Sequence, residues 1–161
     1  MNRYTLLVLI CLIPFLGSAQ QLTPFKRVQP CSFAVDLPVD MKIKKMYEDY
    51  SPDYCDYEVK LRDGYVAMEL HSLLKSRFEQ STIRGLYNEA LRGSDLNITY
   101  KMLAANFFII SGINNQNGNI VYWKRALGQN FVSDLHIEYN QARKAAIEKY
   151  IGRISKSFTS N

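Results

Sequence analysis

Apolar and polar positions alternate with a period of two over most of the chain, and twice the period lengthens to that of a helix. Alternate residues of a strand share a face, so CSFAVDL (31–37) sets Cys31, Phe33, Val35 and Leu37 on one side, and Pro38 ends that strand. Further extended stretches are predicted at 42–49, at 54–62 and in YVAMELHSLL (65–74). Ser51-Pro52-Asp53 breaks the chain, and Asp63-Gly64 is a hairpin signal. Ile83, Leu86, Tyr87, Ala90 and Leu91 form one apolar stripe of a helix that Ser81 or Thr82 can cap and Gly93 can end. Strands are predicted again at 97–103, 106–113, 119–127 and 131–139, with NNQNGN (114–119) as a hairpin loop. Residues 107–110 are apolar on both faces, which predicts a central strand. Ile147, Tyr150, Ile151, Ile154 and Phe158 mark a closing helix over 141–156.

Hairpin connections dominate this order. It predicts an α+β fold: a largely antiparallel sheet of about six to eight strands, with helices packed on its faces. The first residues change the picture of where the domain begins. Arg3, an apolar run from Leu6 to Leu16 and the small residues Gly17-Ser18-Ala19 read as a cleavable secretory signal over 1–19. Cys11 lies inside that apolar run, not at its end, which argues against lipidation. Residues 20–30 are expected to be a flexible lead-in, and 31–161 a single domain.

Without Arg3, 19 basic residues face 15 acidic ones. The surplus is scattered, without the dense basic patches of nucleic-acid binding, and no later run is long enough for stable membrane insertion. Cys31 and Cys55 remain, an even count that suits one disulfide in an exported chain. Alternation turns both toward the apolar side, Cys55 together with Tyr57, Val59 and Leu61.

The second half, with Asn106-FFIISG, GNIVYWKR, the strand from Leu135 to Tyr139 and a last helix ending Ile154-SKSF, resembles the PsbP-like family, which includes DcrB-type bacterial envelope proteins and a Ran-binding member. SFAVDLP (32–38) is similar to that family's opening strand. The resemblance implies an antiparallel sheet with helices on its faces, a binding or accessory role, and no catalytic residue. It departs from the family at Asn140, where relatives often carry Pro, which leaves the start of the last helix less fixed.

Three groups of residues could carry chemistry. Asp134, His136 and Glu138 share one face of a strand, and Glu69 and His71 share one face of another. Together they are weak candidates for a metal site; the ordinary reading is the wet side of two strands, because adjacency cannot be read from sequence. YEDYSPDYCDYE (47–58) interleaves tyrosines with acids and has no basic residue. Tyr50, Asp53 and Tyr54, with Trp123 behind them, are the candidate partner-binding residues, since tyrosine and tryptophan dominate interface hot spots. Phosphate loops and nucleophile elbows are absent. The expected function is a non-enzymatic binding or accessory domain, periplasmic or secreted, without a cofactor. Its expected partner is an envelope or secreted protein. The alternatives are a toxin-immunity or effector-chaperone protein, and a metal-dependent enzyme using His71 and His136.

Overall fold

The computed structural model describes residues 23–47 and 51–161; the expected signal segment and Tyr50 lie outside these residues. The chain forms strands β1 (Phe25–Val28), β2 (Phe33–Pro38), β3 (Lys42–Lys45), β4 (Tyr54–Lys60) and β5 (Val66–Leu74), then helix α1 (Ile83–Gly93). Strands β6 (Leu96–Leu103), β7 (Phe107–Asn114), β8 (Ile120–Leu127) and β9 (Phe131–Tyr139), helix α2 (Lys144–Ser157) and the short strand β10 (Thr159–Ser160) follow. Seven strands make one antiparallel sheet in the order β3-β4-β5-β9-β8-β7-β6, and β1-β2-β10 make a second, smaller one. The architecture is α+β.

Core composition explains the layering. Phe33, Val35 and Leu37 of β2 and Ile147, Ile154 and Phe158 from the closing helix and its C-cap share one buried cluster with Val59, Met68, Leu70, Leu135 and Ile137 of the large sheet. The small sheet and α2 therefore cover one face. On the other face Leu86 and Ala90 of α1 pack on Phe108, Ile110 and Val132. That second core draws on β6, β7, β8 and one residue of β9, so α1 covers only half of its face. The apolar strand 107–110 is next to the edge, not central: β7 reads apolar on both sides because Phe108 and Ile110 meet α1 while Ile109 is buried on the opposite face.

Local signals act as their chemistry dictates. Thr82 Oγ1 accepts the Gly85 amide at 3.1 Å and caps α1. Gly64 takes φ +84° in the β4–β5 turn, a conformation open to glycine. Asn140 fixes the approach to the last helix, because its side chain accepts the Arg143 amide at 3.2 Å ahead of a 3-10 turn at Gln141–Arg143. Residues 25–28, within the expected lead-in, pair as β1 along β2 from Phe25↔Pro38 to Val28↔Val35. Cys31 and Cys55 are joined with Cα atoms 6.8 Å apart. Cys31 lies just before β2 and Cys55 on β4, so the bridge links the two sheets and not neighbouring strands. Among the described residues no helix is long and apolar enough to cross a membrane.

Candidate functional site

Strands β5 and β9 are neighbours, and this pairing assembles the site. Glu69 stands opposite His136, and His71 opposite Asp134. On the outer flank β4 places Asp56 opposite His71 and Glu58 opposite Glu69. On the inner flank β8 places Trp123 opposite His136 and Arg125 opposite Asp134. Opposed residues share a face, so the sheet carries two rows that run from the half that α1 leaves bare to the edge of the α1 core, where Trp123 packs. One runs Asp56, His71, Asp134, Arg125; the other runs Glu58, Glu69, His136, Trp123. The two polar strands read from the sequence are thus one continuous tract.

The members of the tract differ in how their charge is met. Asp134 is fully engaged: Arg125 donates to both carboxylate oxygens at 2.7 and 2.8 Å, and the Trp123 indole donates to Oδ1 at 2.9 Å. Asp56, only 5% exposed, accepts the Tyr54 hydroxyl at 2.7 Å and has His71 Nδ1 2.6 Å from its other oxygen, a contact that departs from hydrogen-bond geometry. Burial, then the bond to Asp56, raises the Tyr54 pKa. Glu58 pairs with Lys60 at 2.8 Å. Among the described residues Glu69 has one ion-pair contact, His71 Nε2 at 3.5 Å, and it stands across from His136. Glu138 takes neutral amides from Asn117 and Asn119 at 2.8 and 2.9 Å. Burial works to raise its pKa, but those two bonds and His136 outweigh it and hold the carboxyl below its usual range. Burial pushes the His136 imidazole below the usual histidine range, against the pull of Glu69, Glu138 and Asp134. In a chain of net positive charge, this face presents two carboxylates, Glu69 and Glu138, that pair with no lysine or arginine among the described residues.

No family model matches the chain, and no curated protein matches it in sequence. The arrangement of strands and helices does have solved counterparts. It is similar to the solution structure of cyanobacterial PsbP (CyanoP) from Synechocystis sp. PCC 6803, with a TM-score of 0.52 and 10% identity over 91% of this chain and 99% of that one. It is also similar to the Ran-binding protein Mog1p of Saccharomyces cerevisiae, with a TM-score of 0.52 and 9% identity over 86% of this chain and 96% of that one. The chain has the PsbP and Mog1 fold. At such identities the likeness establishes the PsbP-like fold and nothing about the residues that work on it.

On this PsbP-like sheet the residues singled out from sequence are distributed unevenly. Tyr54 is 38% exposed and lies on the same face as the tract, at the start of β4. Asp53, just before it, is held by Arg77 at 2.8 Å. Trp123 also lies on this face, three strands away. Its ring is half-buried against Phe108, with Arg125 4.9 Å from the ring centroid. It is therefore not directly behind the acidic stretch. Tyr57 turns inward and meets Phe33 at 5.9 Å, whereas Tyr47 is largely exposed. His71, His136, Glu69, Asp134 and Glu138 come together on one face, yet no group of three or more such side chains among the described residues is arranged to hold a metal ion.

Sequence reading missed Lys124. It is 5% exposed, and its ammonium donates to the carbonyls of Ser155 and Phe158 at 2.6 and 2.9 Å, closing the C-terminal end of α2. Burial lowers its pKa to about 8. The signal was available: Lys124 shares its strand face with Tyr122 and Ala126, the side that alternation assigns to the core. A buried run of hydroxyls was missed for the same reason. Ser32, Ser72, Ser133 and Ser160 bond in series at 2.6, 2.8 and 2.8 Å between the two sheets.

Proposed function

We propose that the chain is an exported, non-enzymatic binding domain that acts through protein–protein contacts in the bacterial envelope, and that the acidic and histidine-bearing half-face of the large sheet receives a basic partner. The observation that carries this reading is the bare half-face itself. Glu69 and Glu138 stand there without a lysine or arginine partner among the described residues, flanked by Tyr54 and Trp123. Uncompensated charge of one sign steers a partner of the other and sets its register. Tyr54 offers apolar area with a polar tip, as interface anchors do. Mog1p, on the same fold, is a Ran-binding protein, which supports a protein as the ligand. The signal-like first 19 residues and the single disulfide support export.

The test uses the mature, disulfide-bonded chain as bait in envelope extract, beside a variant carrying Asp53→Ala and Tyr54→Ala. The reading predicts one defined protein retained by the native bait and lost by the variant, which stays folded at the assay temperature although loss of the Tyr54–Asp56 hydrogen bond lowers its melting temperature. Equal retention by both baits contradicts it.

A further inference from the structure

The side of the molecule opposite the acidic half-face carries the reverse charge. Lys149, Arg153 and Lys156 are exposed and follow one another at helical spacing, so they form one stripe along the outside of α2. None of the three has a carboxylate within ion-pair distance among the described residues. The acids of α2 and β2 are already engaged, Glu148 with Lys144 at 3.8 Å and Asp36 with Arg27 at 3.2 Å. Contacts carry the stripe across to β1. Lys149 Nζ lies 4.8 Å from the centre of the Tyr150 ring, Tyr150 meets Phe25 edge to face at 6.1 Å, and the Arg153 guanidinium lies 4.1 Å from the centre of the Phe25 ring. Arg27, further along β1, donates to the Ser157 carbonyl at 2.7 Å. Val39 adds an apolar tip: it follows Pro38, which pairs with Phe25, and it is 46% exposed.

Two observations favour a lipid surface as the occupant. Unpaired cations around half-buried aromatic rings and an exposed aliphatic side chain have the composition of an interfacial segment, which binds by charge and by shallow apolar contact. The chain also enters the fold on this side. Thr23 Oγ1 is 3.4 Å from the Tyr150 hydroxyl, and the apolar run from Leu6 to Leu16 precedes Thr23 in sequence. During export that run meets the bilayer first and brings this side to it. We propose that the mature chain rests on an anionic bilayer through Lys149, Arg153 and Lys156, with Phe25 and Val39 at the border of the contact. The proposal takes from the reading above only that the chain is exported. Asp134, His136 and Glu138 alternate with Leu135 and Ile137, which share a core with α2, so in this seat the acidic half-face points away from the lipid. Turned over, the chain would set carboxylates against anionic headgroups, and like charge opposes that.

The test is flotation of the mature, disulfide-bonded chain with vesicles of phosphatidylglycerol and phosphatidylethanolamine, and with vesicles of phosphatidylcholine alone. The native chain is expected to float with the first at low salt and to stay behind with the second. It should be released at about 1 M salt, where the screening length falls to about 3 Å. A variant carrying Lys149→Gln, Arg153→Gln and Lys156→Gln is expected to bind the anionic vesicles at least roughly tenfold more weakly. A variant with the same charge change on the α1 side, Arg84→Gln, Arg92→Gln and Lys101→Gln, should keep the native affinity; every substituted side chain is exposed. No flotation of the native chain with anionic vesicles, or equal flotation with both kinds, overturns the proposal whatever the variants do. Equal loss in the two variants also overturns it, since net charge alone would then account for the binding. Salt-sensitive self-association without lipid, lost in the α2 variant alone, would give the stripe to the acidic face of a second copy and overturn it too. Partner capture is scored on the Asp53 and Tyr54 variant, whose stripe is native, so the two readings fail separately.

Discussion

Asp56 and His71 face each other across β4 and β5, with Oδ1 and Nδ1 2.6 Å apart, while the hydroxyl of Tyr54 bonds the other oxygen of Asp56. A nearly buried carboxylate is thus tied to two side chains that border the open face. Asp56→Ala is expected to lower stability by about 1–3 kcal/mol, the scale of leaving such partners unmet. Coupling with His71→Ala should reach at least roughly 0.5 kcal/mol in a double-mutant cycle. Urea denaturation of the four proteins measures both quantities.

Asp134, a candidate ligand by sequence, is a structural residue in the fold. Its oxygens satisfy Arg125, whose side chain is 13% exposed, and the indole of Trp123. Asp134→Ala leaves a largely buried guanidinium unpaired, and an expected loss of roughly 3–5 kcal/mol follows. The tryptophan emission should shift to the red in the same variant. Native stability together with native emission would contradict this role.

The bridge between Cys31 and Cys55 ties the small sheet to the large one across a sequence separation of 24. On the chain-entropy account, closing a loop of that length stabilises by roughly 3–4 kcal/mol. Reduction, or a Cys31→Ser and Cys55→Ser pair, should lower the unfolding free energy by that amount and bring the urea midpoint down with it. An unmoved midpoint would remove the bridge from the stability of the fold.

Lys124 predicts a stability profile at alkaline pH. Its folded pKa is about 8 against an ordinary 10.5. Between those values the unfolded chain binds the extra proton, so unfolding free energy rises as pH climbs from about 8. The gain is capped at roughly 3 kcal/mol by the size of the shift. Toward pH 10 and beyond, Tyr54, Tyr122 and Tyr139, whose pKa values burial raises, turn the curve down again, because the unfolded tyrosines ionise first. A Lys124→Met variant should lack the rise between about pH 8 and 10. Chemical denaturation at stepped pH reads the difference.

The strands and helices were legible because alternation and helical stripes are local. Thr82 as a cap, the α1 stripe and the inward parity of both cysteines needed only neighbouring residues. The tract was not legible. Glu69 and His136 are far apart in sequence, and only the order β5-β9-β8 makes them opposite each other. Strand β1 escaped because Lys26 and Arg27 interrupt any alternation over its four residues. Lys124 and the four serines escaped because residue type was weighed above face parity.

The most direct test places a photocrosslinking residue at Glu69, on the open half-face, and in a second protein at Lys149, on the exposed side of α2. Both are activated in envelope extract under ultraviolet light. The account predicts a covalent adduct with one partner from position 69 and none from position 149. Adducts from position 149 alone would place the binding surface on the other side of the molecule and contradict the account.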